Sequence, residues 1–140
     1  MITIESIDTK KEEFEIVKNI RQLVFVKEQA VDPKEEFDEF EHSSKQFLAR
    51  VDGVPAGTCR YRKTEKGFKL ERFAVLPEHR RIGVGLAMVE RCLEEIPHDY
   101  KIYLHAQLSA IPLYKKAGFK EYGPKFFECK IAHFAMQWQG

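Results

Sequence analysis

The chain has 140 residues, about one domain at roughly 150 residues per domain. It is 44% hydrophobic and 12% aromatic, enough for a packed core, which argues against disorder. Lys and Arg number 23 against 22 Asp and Glu, and this net charge of +1 excludes a strong overall pull toward nucleic acid or an anionic membrane. No apolar run approaches the roughly 18 residues of a membrane span. The start, Met1-Ile2-Thr3-Ile4-Glu5, lacks the basic and apolar regions of a secretory signal. Cys59, Cys92 and Cys129 are widely spaced and form no CxxC pair. The expectation is three mostly buried free thiols in a reducing, cytoplasmic setting, with neither a disulfide framework nor a metal site.

Ile2 to Ile4 is a candidate initial strand. Thr9-Lys10-Lys11-Glu12 has the spacing of a capping box, and Phe14, Val17, Ile20 and Val24 recur at helical spacing. A helix from about Lys10 to Phe25, extending at most to Glu28, is predicted. In Asp32 to Glu41 six of ten residues are acidic, which reads as a loop or short irregular helix. Gln46 to Val51 and Val54 to Arg62 form strands around an Asp52-Gly53 turn, with Pro55 and Gly57 suggesting an edge position or a bulge. After a turn at Glu65-Lys66-Gly67, Phe68 to Val75 is a third strand, completing an antiparallel meander.

Pro77 ends that strand. Leu86, Val89, Leu93 and Ile96 then line one face of a helix, which Pro97 stops. Ile102 to Ala106 is a strand, and a parallel crossover from Leu70 to Ala106 is expected. A short helix capped by Ser109, with Pro112 in its first turn and Gly118 at its end, comes next. Phe119 to Tyr122 and a longer strand from Phe126 to Trp138 close the chain. The fold class is α/β, of the α+β mixed-sheet kind. An antiparallel meander leads into a parallel strand pair, with helices on both faces of one domain spanning 1–140.

The most informative segment is Arg80-Arg81-Ile82-Gly83-Val84-Gly85, between a strand and a helix. Glycine lets backbone approach a ligand, and the free N–H groups and dipole of a helix start favour an anion. A phosphate or pyrophosphate is the natural ligand. The segment is not a Walker loop, which needs Lys-Ser or Lys-Thr after the last glycine, nor the dinucleotide GxGxxG, whose third glycine falls on Val89 at best. A tight strand-to-helix turn with solvated arginines has the same spacing.

Arg80-x-x-Gly83-x-Gly85, after Phe73-Ala74-Val75, resembles the acetyl-CoA signature of the GCN5-related N-acetyltransferase (GNAT) superfamily. Ala110-Ile111-Pro112-Leu113-Tyr114-Lys115-Lys116-Ala117-Gly118-Phe119 resembles its second signature. Arg21-x-x-Val24-Phe25-Val26-x-Glu28-Gln29, Leu104-His105-Ala106-Gln107, and Phe127-Glu128 with Ile131-x-His133 resemble a bacterial ElaA-like and YjcF-like branch.

The resemblance implies that strands Leu70 to Val75 and Ile102 to Ala106 splay apart to admit acetyl-CoA. The backbone of Phe73, Ala74 and Val75 would pair with its pantetheine amides. Backbone N–H groups of Arg81, Ile82, Gly83, Val84, Gly85 and Leu86 would hold its pyrophosphate, with Arg80 adding charge and Gln107 standing where many members have asparagine. Many members also have glycine where Arg81 stands. Tyr114 matches the tyrosine that protonates the departing thiolate; a phenol near pKa ~10 is close to a thiol near ~8.5. Glu71, read as sharing strand parity with Phe73 and Val75, is the candidate base, against a cross-strand ion pair. His105 is the second base candidate and, with Glu28, a candidate liner of the acceptor pocket. His133 is read as structural. The acidic segment would attract a cationic amine or simply be solvated.

The implied activity is direct acetyl transfer from acetyl-CoA to a primary amine, of a small molecule or a lysine. No nucleic-acid or membrane partner is expected, and the Phe126 to Trp138 strand could pair across a two-fold axis into a homodimer. A non-catalytic acyl-CoA-binding or sensor module on the same fold is the alternative. A nucleotide-type phosphate binder is a third.

Overall fold

The alternating residues of the meander and of the C-terminal half build one seven-stranded sheet in a computed structural model that describes residues 1–140. Its strands are β1 (Ile2–Ile7), β2 (Lys45–Val51), β3 (Val54–Thr64), β4 (Gly67–Val75), β5 (Ile102–Gln107), β6 (Phe119–Glu128) and β7 (Ile131–Trp138). They lie in the order β1-β2-β3-β4-β5-β7-β6. Only β4 and β5 run parallel; every other neighbouring pair is antiparallel. The fold is the expected mixed sheet with a meander leading into one parallel pair.

Helices cover both faces. On one side α3 (Val84–Glu95) and α4 (Ile111–Lys116) pack over Phe47, Leu70, Ile102, Leu104 and Met136. Val84, Met88, Val89, Cys92 and Leu93 form the buried stripe of α3, while Leu86 is only half-buried. On the other side α1 (Phe14–Arg21) buries Phe14, Val17 and Ile20 against Ile7, Leu48 and Ala74. Burying each large apolar side chain contributes about 1.5–3 kcal/mol.

The first helix differs from its expected bounds. Thr9 does not cap it; its hydroxyl bonds His42 Nδ1 at 2.8 Å, and the Lys10 N–H donates to Asp8 instead. The α-helix starts at Phe14 and widens into a π-helical stretch over Gln22–Glu28. A short α2 (Pro33–Glu36) follows, with the Asp32 carboxylate accepting from the Lys34 N–H. Ser109 does not cap α4; it lies in a 3-10 turn, and Pro112 sits in the first turn of α4.

Three strand expectations are also corrected. β3 is internal, so the edge reading of Pro55 fails while the bulge reading holds, as a register shift opposite Ala49 and Arg50. Phe126 to Trp138 is not one strand: Cys129 and Lys130 both take left-handed φ angles of 50° and 65° and turn β6 back as β7. β7 is therefore interior, and β6 is the edge strand on that side of the sheet.

The third correction concerns β4. Glu71 pairs with Arg60 and Ala74 with Thr58, so Arg72 and Phe73 of β4 oppose Cys59 alone. This is a bulge, with Arg72 at φ 61°. The period-2 alternation breaks there: Leu70 lies in the core beneath α3, but Ala74 lies in the core beneath α1. Phe73 and Val75 pack on the α3 side, so Glu71 does not share their face.

Candidate active site

The parallel ladder runs only from Phe68–Ile102 to Leu70–Leu104. Beyond it β4 stays with β3 and β5 stays with β7, so the two strands separate just before the bulge. A cleft of about 920 Å³ opens between them, lined by Phe73, Ala74 and Val75 on one wall and His105, Gln107 and Tyr114 on the other.

The Arg80–Gly85 loop closes one end. Arg81 and Gly83 have φ angles of 64° and 96°, and Gly83 caps α3. The first intrahelical bond runs from the Ala87 N–H to the Gly83 carbonyl. No backbone N–H from Arg81 to Leu86 donates to another backbone group. Left-handed turns followed by free N–H groups make a concavity suited to an anion. A Cβ on Gly85 would come within 3.0 Å of Leu113, so the loop also needs glycine for packing. Free donors at one end and the splayed strands beside them fit the elongated, phosphate-bearing shape of acetyl-CoA.

Arg80 serves the scaffold as well as the charge. Its Nε donates to the Val75 carbonyl at 2.8 Å, and its two Nη atoms grip Glu28 at 2.8 and 2.7 Å. Glu28 is thereby fixed beside the Arg80–Gly85 loop rather than being free for an acceptor, and hydrogen bonds from Arg80 hold its carboxyl below the usual range. The next residue, Gln29, accepts from Gln107 Nε2 at 2.8 Å. Consecutive residues thus reach the loop that follows β4 and the end of β5. Arg81 is exposed and forms no ion pair.

Tyr114 projects from α4 and is 6% exposed. Its ring meets Phe73 edge-on, 5.8 Å between centroids. Burial, with Cys59 and Cys92 nearby, pushes its phenol above the ordinary value, so it carries its proton at neutral pH.

Glu71 is buried and ion-paired. Arg60 Nε donates to it at 2.7 Å, the Arg60 Nη2 contacts the same oxygen, Arg62 lies at 3.2 Å and Lys69 at 3.4 Å. Burial favours the protonated acid, but these cations outweigh it and hold the carboxyl below the usual range. The cross-strand pair exists, and a carboxylate so held is a poor proton acceptor.

The acidic segment is divided: Asp32, Glu35 and Glu39 are exposed, whereas Glu36, Asp38 and Glu41 are ion-paired. Arg21 Nε bonds Glu36 at 2.7 Å and its Nη atoms grip Glu41 at 2.6 and 2.8 Å. Arg60 grips Asp38 at 3.0 and 2.8 Å, and Arg72 reaches both Glu36 and Asp38. Burial would raise Asp38, but its hydrogen bonds from Arg60 lower its pKa to about 2. Arg21 and Arg60 are fully buried and lie far apart in the sequence from these carboxylates, so spacing could not pair them.

His105 Nδ1 lies 3.3 Å from Glu128 Oε2, and His133 Nε2 lies 3.9 Å from Glu128 Oε1. The His133 Nδ1 is 2.6 Å from the Ile131 carbonyl. The Cys129–Lys130 turn folds Glu128 toward His105, a contact that one continuous strand from Phe126 to Trp138 would not make. Cys129 is exposed, against expectation, and donates to Glu35 at 2.7 Å, while Cys59 and Cys92 are buried.

No helix is long and apolar enough to cross a membrane. Residues 7–139 match the family model described as an acetyltransferase (GNAT) domain. The chain is 38% identical over 121 residues to the uncharacterized N-acetyltransferase YjcF of Bacillus subtilis (strain 168), covering 84% of this chain and 86% of that protein. Escherichia coli ElaA superposes with a TM-score of 0.86 at 21% identity, covering 99% and 100% of the two chains. A GNAT family acetyltransferase from Elizabethkingia anophelis, solved with acetyl-CoA bound, superposes with a TM-score of 0.68 at 18% identity, covering 97% and 94%. The chain belongs to the GNAT family of acetyltransferases and is an acyl-CoA N-acyltransferase.

Proposed function

We propose that the protein transfers an acetyl group from acetyl-CoA directly to a primary amine. The observation that carries this is the splay of β4 and β5 beside the Arg81–Leu86 run of free N–H groups, with Tyr114 in the same cleft. The backbone N–H groups of Arg81, Ile82, Gly83, Val84, Gly85 and Leu86 would hold the pyrophosphate. The backbone of Phe73, Ala74 and Val75 would take the pantetheine amides, and Gln107 would donate from the opposite strand. When bound, acetyl-CoA supplies an acetyl group activated as a thioester. Tyr114 would give its proton to the leaving sulfur. Glu71 and its cations would shape the field of the cleft rather than take a proton.

His105 lines the acceptor side. Glu35 and Glu128 are the cleft carboxylates without an Arg or Lys partner, which favours a cationic acceptor. Cys59 and Cys92, unbonded thiols with sulfurs 3.9 Å apart, fit a reducing, cytoplasmic setting.

Thermal stability measured with acetyl-CoA, ATP and NAD tests the binding half. At 100 times its Kd a ligand adds about 2.7 kcal/mol, several degrees in a domain of this size. A shift specific to acetyl-CoA is expected; a shift with ATP or NAD alone would select a nucleotide binder. Thiol release with a panel of amines tests the transfer half. Binding without release across the panel would instead select the non-catalytic acyl-CoA module.

A further inference from the structure

Six carboxylates line the cleft: Glu28, Glu35, Glu36, Asp38, Glu71 and Glu128. Four face an arginine. Glu128 instead stands between two imidazoles, with one oxygen 3.3 Å from His105 Nδ1 and the other 3.9 Å from His133 Nε2. Phe126 packs edge-on against His105, 5.0 Å between centroids, and stacks on His133 at 5.9 Å. The His105 ring is therefore held by a carboxylate at one nitrogen and an aromatic wall at its face. The other charged or titratable groups near this cluster are Lys69 and Arg72 from β4, Tyr103 from β5, whose ring centroid lies 6.1 Å from that of His105, and Cys129 with its partner Glu35.

We infer that Glu128 is a positioning residue that fixes the His105 imidazole as the proton acceptor for the incoming amine. The inference rests on the acetyl-transfer function proposed above. A neutral imidazole that donates from Nδ1 to a carboxylate keeps the lone pair on Nε2. His105 Nε2 has no protein partner and is the nitrogen free to take a proton. The carboxylate also stabilises the imidazolium that forms. Glu71 is excluded from this role by its three cations.

His105 and Tyr114 suit the two proton transfers. Leu104 and Ala106 lie in the core beneath α3 together with Tyr114, so His105 between them faces the opposite side of the sheet. Both side chains reach the cleft where the strands part. The acceptor ammonium first loses one proton to solvent, and the neutral nitrogen then bonds to the acetyl carbonyl carbon as the carbon–sulfur bond breaks. Nε2 of His105 takes the proton from nitrogen, and sulfur takes the proton from the Tyr114 hydroxyl. The proton on His105 returns to the phenolate through solvent, so neither side chain is changed after one turnover.

Two measurements test this on the full chain. The first is 15N NMR of the imidazoles, with His105 assigned from the spectrum of His105→Gln. Wild type should show His105 in the Nδ1–H form. In Glu128→Gln the tautomers should mix, because the carboxylate that holds the Nδ1 proton is gone. An Nε2–H tautomer in wild type, or an unchanged tautomer in Glu128→Gln, would overturn the inference.

The second is the pH profile of kcat/KM for transfer to the best acceptor among spermidine, glucosamine and Nα-acetyl-lysine. The rising limb should be altered in His105→Gln. In Glu128→Gln kcat should fall about 10- to 100-fold, with KM for acetyl-CoA unchanged, and His105→Gln should lose about 100-fold or more. An unaltered limb in His105→Gln would remove His105 as the acceptor. Acetyl-CoA binding with no transfer to any of the three amines would count against the proposed function, while the tautomer measurement still decides whether Glu128 holds His105.

Discussion

The Arg60 guanidinium lies across the β3–β4 ladder from Glu71, donating to it through Nε at 2.7 Å while its other nitrogens hold Asp38 at 3.0 and 2.8 Å. One fully buried cation thus joins the strand at the mouth of the cleft to the acidic segment. Removing one member of a buried ion network leaves its partners uncompensated, at a cost of about 3–5 kcal/mol. Arg60→Met should lower the unfolding free energy by about that amount in urea titrations. A loss below about 1 kcal/mol would show that the network does not hold the acidic segment.

The same network sets the acid limit of the fold. Asp38, Glu41 and Glu71 all have folded pKa values below their ordinary values, owing to Arg60 and Arg21. Their stabilisation is present above pH about 4, the unfolded range. It is lost as pH falls toward the folded value of Asp38, about 2. Glu36, raised by burial, has the opposite sign and offsets part of this loss. Thermal melts should show the midpoint dropping steeply between about pH 4 and 2. A flat profile over that range would contradict the pairing.

Tyr114→Phe should separate chemistry from packing. The ring stays against Phe73, so the acetyl-CoA-induced thermal shift should match wild type. Loss of a proton donor lowers kcat by about 100- to 10,000-fold. Full turnover in the variant, measured as thiol release, would remove Tyr114 as the acid.

Arg81 adopts φ 64° and forms no ion pair. A left-handed residue with a Cβ costs about 1–2 kcal/mol, a strain that glycine avoids. Arg81→Gly should therefore raise the melting temperature by a few degrees. A drop would mean that the side chain contributes packing that outweighs the backbone relief.

Gly118 has φ 99°, and a Cβ there would lie 3.0 Å from Trp138 Nε1. That N–H donates to the Ala117 carbonyl at 2.9 Å. Gly118→Ala should displace the ring and weaken this bond. The chain has one Trp, so its fluorescence reports the change directly. An unshifted emission maximum and unchanged stability would contradict the contact.

Local rules made much of this protein legible. Asp52-Gly53, Pro77, Pro97 and Gly118 punctuate the chain where the strands and helices end, because turn residues act on their own neighbours. The free N–H groups between Arg81 and Leu86 are legible for the same reason, because they belong to any helix start. The sequence by itself therefore determined the element order, the strand-to-helix turn with its free N–H groups and the place of Tyr114 on a short helix. Tertiary structure decided what depends on partners far along the chain. An inserted residue at the β4 bulge turned Glu71 away from the face of Phe73. Arg21 and Arg60 paired with Glu36, Asp38 and Glu41 of the acidic segment, and the Cys129–Lys130 turn carried Glu128 to His105. Each of these is set by strand register and by the cost of burying an unpaired charge, quantities that exist only once distant segments are packed together.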